Sequence, residues 1–171
     1  MLTLILLRHA KSSWDDSSLD DFDRPLARRG EAAAPRMGAY MKAQGLAPDL
    51  ILCSSAVRAR QTLDLVLPQL PGKPEVHHEK GLYLAPPDAL LARIRKIDPK
   101  MRQVMVVGHD PGMHMLAVEL SGSGEPARLE ALARKFPTAA LAVIRFKGRV
   151  WSNVGPAKGA LELFVSPKML D

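Results

Sequence analysis

The stretch LILLRHAKSSW, residues 4–14, decides how the chain is read. Leu4 to Leu7 make a continuous apolar run, and Leu2–Leu7 together has the length of one buried strand. The run breaks at Arg8-His9, a permanent cation followed by a titratable imidazole. A strand that ends this way presents polar groups at the sheet edge. The polar segment that follows, Lys11 to Arg24, carries Asp15, Asp16, Asp20, Asp21 and Asp23. It reads as a long surface loop beside that edge.

Working outward, similar apolar runs recur at Leu50–Cys53 and Val104–Val107, with a weaker one at Glu75–His78 and two late ones at Ala140–Phe146 and Leu161–Val165. Between them the spacing predicts helices from about Glu31 to Gln44, closed by Gly45, and over Arg58–Leu67, Pro87–Arg95 and Gly112–Leu120. Pro35 is expected in the first turns of its helix, where a missing N–H costs least. Alternating strands and helices imply an α/β fold: a three-layer α/β/α sandwich around a mostly parallel mixed sheet. The last two strands have no helix between them, so at least one is expected to be antiparallel.

At 171 residues the chain is expected to form a single domain, residues 1–171, with room for a substantial core. Hydrophobic residues make up 47% and charged ones 25%, which argues against disorder. The net charge of +6 favours anionic partners. Nucleic acid is not expected, since aromatic residues are only 5% and the basic residues form no long run. No stretch reaches the roughly 20 apolar residues of a membrane span, so no membrane partner is expected. Cys53 is the lone cysteine, which rules out a disulfide framework and suits a core position. The apolar run after Met1 is too short for a signal peptide. The expectation is a cytoplasmic enzyme or binding protein.

Ligands of open α/β sheets bind outside the carboxyl ends of the strands. There the sequence places Arg8-His9 after the first strand, Ser54-Ser55 and then Arg58 after the second, and His109-Asp110-Pro111 after Val104–Val107. If these strands are neighbours, two histidines and two arginines converge. Ser54 or Ser55 suits a helix N-cap. Arg58 then falls near the first turn, from which a helical side chain leans back toward the strand end. Asp110-Pro111 resembles an N-cap with proline at the first helical position. Each residue alone has an ordinary reading. Arg58 suits a surface ion pair, His109 a structural hydrogen bond, His114 packing. His77 and His78 are adjacent on a strand and so face opposite ways, a poor metal pair. As a set they suit phosphate. Guanidinium groups bind its oxygens with charge-assisted hydrogen bonds, and a neutral imidazole can attack phosphorus. Phosphoryl transfer needs chiefly positioning and charge neutralisation.

LLRHAKSSW, SSAVRARQT and VVGHDPG closely resemble the three signature segments of the histidine phosphatase superfamily, also called phosphoglycerate mutase-like. DFDRPLARRG (21–30), KFPTAALAVIRF (135–146) and SPK (166–168) support the resemblance, and the small size is similar to that of SixA-type phosphohistidine phosphatases. The resemblance implies a phosphoglycerate mutase-like fold. It implies a metal-independent phosphatase in which His9 is the transiently phosphorylated nucleophile. Arg8 and Arg58 would clamp the phosphoryl oxygens, and His109 would donate a hydrogen bond to the transferring group. No metal and no organic cofactor is implied. Arg24 falls in the family's Arg-Pro-Leu segment, near the pocket. Lys11 reads as a substrate contact or a solvated loop lysine. For the proton donor two carboxyls remain open: Glu79, whose setting fits the mutase pattern poorly, and Asp110, directly after the second histidine and also readable as a helix cap. An alkoxide leaving group needs an acid more than an imidazole does, so the implied substrate is a phosphohistidine protein. The alternatives are a small phosphorylated metabolite at the same site and a non-catalytic phosphate-binding domain.

Overall fold

Leu2–Arg8 forms strand β1 in the computed structural model, which describes all 171 residues. β1 is sealed on both sides. Leu2, Leu4 and Leu6 enter one apolar cluster, Ile5 and Leu7 the other. A central strand must be apolar at every position for this, and the uninterrupted run supplies it. The other strands are β2 (Leu50–Ser54), β3 (Glu75–Glu79), β4 (Gln103–Gly108), β5 (Ser121–Gly124), β6 (Leu141–Phe146) and β7 (Gly159–Val165). One sheet holds them all, in the order β3-β2-β4-β1-β6-β7-β5. β1, β2, β3 and β4 run parallel, β6 is antiparallel to both β1 and β7, and β5 pairs parallel with β7.

Five helices cover the two faces. α1 (Arg28–Ala43) and α2 (Val57–Val66) pack Met37, Met41, Leu63 and Val66 against the face of Ile5 and Leu7. α3 (Pro87–Arg95), α4 (Gly112–Leu120) and α5 (Pro126–Arg134) pack Leu91, Ile94, Leu116 and Leu132 against the other. Each fully buried leucine contributes about 1.5–3 kcal/mol. The layers and the antiparallel late strand agree with the sequence reading, and Gly45 ends α1 with φ +74.

Three features differ. α1 starts at Arg28, so Pro35 lies in mid-helix rather than in its first turns. The helix is held there from outside, since Gln69 Nε2 donates to Pro35 O at 2.7 Å. α5 was not expected. Nor was β5, an SGSG edge segment with no side-chain pattern, which joins β7 through its backbone alone.

Candidate active site

β2, β4 and β1 lie side by side, so their carboxyl ends bring the three sequence segments together. Arg8 stands in register with Gly108, and His9 N–H donates to Gly108 O at 3.0 Å. The His9 and His109 rings are 5.3 Å apart between centroids. His9, Arg58 and His109 are buried and Arg8 is partly exposed. The expected quartet does converge.

His9 Nδ1 lies 2.7 Å from Ala10 O. A carbonyl oxygen only accepts, so Nδ1 carries the proton and Nε2 holds the free lone pair. Burial pushes the His9 pKa down to about 3, with Arg58 and Arg8 adding to the effect. His109 is lowered to about 4, again first by burial and then by Arg58. Both rings are therefore neutral at neutral pH. His109 Nε2 is 2.7 Å from Ser54 Oγ, and its Nδ1 is buried with no partner.

Arg8 Nη1 donates to Phe136 O at 2.9 Å and lies 3.4 Å from Asp110 Oδ2. Arg58, the second residue of α2, reaches back as its helical position requires. Its Nη1 donates to Asp21 O at 2.6 Å and its Nη2 to Asp21 Oδ2 at 2.9 Å. The Nε atoms of both arginines are buried without partners, as is Asp110 Oδ1. Unpaired buried polar atoms are costly. Here four of the five in the molecule belong to Arg8, Arg58, His109 and Asp110.

The expected helix caps are corrected. α2 is flanked by Ala56 with no side-chain cap. Ser54 Oγ instead accepts from Ala56 N–H at 3.3 Å and meets His109, while Ser55 caps nothing. Asp110 does not hold the flanking position either, although the backbone N–H of His114 in the first turn of α4 still acts on its carboxyl. Pro111 flanks α4, the Asp110–Pro111 bond is cis, and the carboxylate turns toward Arg8. Burial raises the Asp110 pKa against the pull of Arg8.

The remaining expected residues lie outside the quartet. Glu79 accepts from Arg93 Nε and Nη2, both at 2.8 Å, and this pairing holds its carboxyl below the usual range. Arg24 is buried, donates to Asp21 Oδ1, Ser12 Oγ and Ser13 O, and stacks 3.5 Å over the Trp14 ring. It fastens the loop and reaches the pocket only through Asp21. The Lys11 side chain is exposed and lines a separate cavity that none of the quartet lines.

Two site residues escaped the sequence reading. Asp21 reads as surface loop in the sequence, yet Arg58, Arg24 and Tyr83 all donate to it. Burial alone would raise its pKa, but the hydrogen bonds from Tyr83 and Arg58 outweigh burial and bring it down to about 2. Tyr83 also stands edge-on to His109, with centroids 5.4 Å apart. The usable signal was Asp21 three residues before Arg24, the spacing of one helical turn.

A family model described as the histidine phosphatase superfamily (branch 1) matches residues 4–83. A Mycobacterium tuberculosis protein designated uncharacterized is 38% identical over 164 residues, covering 95% of this chain and 100% of its own. Two solved structures, each carrying the provisional designation phosphohistidine phosphatase SixA, share the fold. The Nakamurella multipartitia protein is 29% identical with a TM-score of 0.83, over 97% of this chain and 96% of its own. The Agrobacterium tumefaciens protein is 30% identical with a TM-score of 0.80, over 97% of this chain and 98% of its own.

Proposed function

The chain belongs to the histidine phosphatase superfamily, SixA-type, and from that premise we propose that it hydrolyses protein phosphohistidine through a phosphoryl intermediate on His9. The observation that carries this reading is the His9 tautomer. Nδ1–H is committed to Ala10 O, so the Nε2 lone pair is the ring's nucleophile.

In the proposed first step His9 Nε2 attacks phosphorus. The new N–P bond forms as the bond to the substrate imidazole breaks, and that imidazole takes up a proton from solvent water. Arg8 and Arg58 neutralise the equatorial oxygens, where stabilising developing charge contributes most. With the Ser54 hydroxyl donating to His109 Nε2, the His109 proton sits on Nδ1 and donates to the same oxygens. In the second step water attacks the phosphorus of phospho-His9. Phosphate leaves and the imidazole is restored.

Asp110 supports a second reading, a small phosphomonoester at the same site. Its carboxyl is raised by burial and stands beside Arg8, so it is better placed to give a proton to an alkoxide than Glu79, which Arg93 keeps ionised. The deciding experiment measures phosphate release from a phosphohistidine protein and from an alkyl phosphate, with chelator present. Preferential release from phosphohistidine, lost in His9→Ala, is expected. Preference for the ester would move the reading to small metabolites, and no release from either would leave a phosphate-binding domain.

A further inference from the structure

The same sheet edge carries a second concave feature. A cavity of about 530 Å³ is lined by Lys11, Arg29, Arg36, Lys135, Lys168 and Asp171, together with small and proline residues. Its five cations come from four separate segments. Lys11 follows the His9 strand end, Arg29 and Arg36 lie on α1, Lys135 opens KFPT, and Lys168 closes SPK. The proposed chemistry uses none of these cations. Only Arg36 is paired, its Nη2 standing 2.7 Å from Asp171 Oδ1. The others leave a concentration of positive charge that attracts an anionic ligand.

The arrangement is built rather than accidental. Ala27 N–H donates to Lys11 O at 2.9 Å. Gly30 approaches so closely that a Cβ there would stand 2.2 Å from Lys11 O. The backbone of Lys11 is thereby clamped to the first turn of α1, with Arg29 beside it. On the opposite rim Met169 N–H donates to Ser166 O at 3.0 Å, and Leu170 packs onto the α1–α2 side of the core. That anchors the turn carrying Lys168.

The cavity and the catalytic pocket share a wall. Ala139 N–H donates to His9 O at 3.0 Å, and Phe136 O accepts from Arg8. Residues 135–139 thus offer Lys135 to one side and hold the catalytic groups on the other. None of Arg8, His9, Arg58 and His109 lines the cavity. A compact metabolite bound at His9 stays on its side of the wall, whereas an extended polypeptide crosses it. No aromatic side chain lines the cavity, so nothing there stacks on a nucleobase.

We propose that this cavity docks an acidic segment of the phosphoprotein substrate. Carboxylates flanking the phosphohistidine engage Lys11, Arg29, Lys135 and Lys168 while the phosphoimidazole enters the pocket beside His9. The identity of the partner rests on the phosphohistidine reading above; the anion site itself does not.

Two arms test it. In the first, a fluorescent hexaglutamate peptide without phosphohistidine is titrated with the protein at low salt and followed by anisotropy. Saturable binding is expected, weakened at least about tenfold in Lys135→Glu/Lys168→Glu. Circular dichroism checks that the double variant is folded, and Lys135→Gln/Lys168→Gln gives an intermediate loss. No saturable binding, or equal binding by the charge-reversed variant, overturns the proposal. Tighter binding of an equally charged oligothymidylate also overturns it, in favour of nucleic acid. In the second arm, phosphohistidine peptides with glutamate or with serine flanks are compared as substrates. The ratio of their kcat/KM values is expected to favour glutamate and to collapse in the double variant. An unchanged ratio contradicts docking. Failure to turn over either peptide contradicts only the proposed function, because the first arm needs no catalysis.

Discussion

His77 and His78 are neighbours in the chain, whereas His9 and His109 lie 100 residues apart. The adjacent pair does nothing together. On β3 the two side chains leave opposite faces of the sheet, both exposed, and His77 Nε2 simply meets Glu75 Oε2 at 2.8 Å. The distant pair is buried ring to ring, neutral, and close to two arginines. Strand order makes the difference. β1 and β4 are hydrogen-bonded neighbours, so residues just past their ends meet. Closeness in sequence gives period and face; closeness in the sheet gives chemistry.

Substitution should separate the two pairs widely. His9→Ala is expected to lower kcat by about four orders of magnitude or more, read as phosphate release under saturating substrate. His109→Ala would remove the proposed donor to the phosphoryl oxygens, with an expected loss of about 10²–10³ in kcat. Asp110→Asn sharpens the comparison through the leaving group. An alkyl phosphate should lose about 10²-fold while phosphohistidine loses much less, both read as kcat/KM. His77→Ala and His78→Ala should leave kcat unchanged and stability within about 0.5 kcal/mol in urea titration. A large catalytic effect at either would break the comparison.

Acid stability distinguishes the pairs in a second way. The buried rings fall from 6.5 to about 3 and about 4, so between those limits the unfolded chain binds protons that the folded chain refuses. Stability is therefore complete above pH 6.5 and declines as pH falls toward about 3, with a slope of up to about 2.7 kcal/mol per pH unit. Asp21, held down to about 2, prolongs the decline, and Asp110, whose pKa is raised, works against it. Urea midpoints across this range should flatten in His109→Ala and stay steep in His77→Ala.

Much of this was legible because the central strands are sealed on both faces and must read as unbroken apolar runs, while the residues after them change character abruptly at Arg8, Ser54 and His109. β5 was illegible for the opposite reason, since an edge strand of SGSG pairs through backbone alone. Asp21 and Tyr83 were missed because an acidic loop and a stray aromatic carry no period. Their meaning lies in partners far away in sequence, since Arg58 stands 37 residues from Asp21 and Tyr83 donates to Asp21 from 62 residues away. The flanking positions of α2 and α4 fall one residue later than the sequence suggests, and the Ser54 and Asp110 side chains also meet partners across the sheet, His109 for one and Arg8 for the other.

The central claim is that His9 Nε2 accepts the phosphoryl group. Rapid quenching of the enzyme with radiolabelled phosphohistidine substrate, followed by peptide mapping, tests it directly. The account predicts an acid-labile, alkali-stable label on the peptide containing His9, formed at least as fast as turnover. Turnover with no label, or with the label on His109, would contradict it.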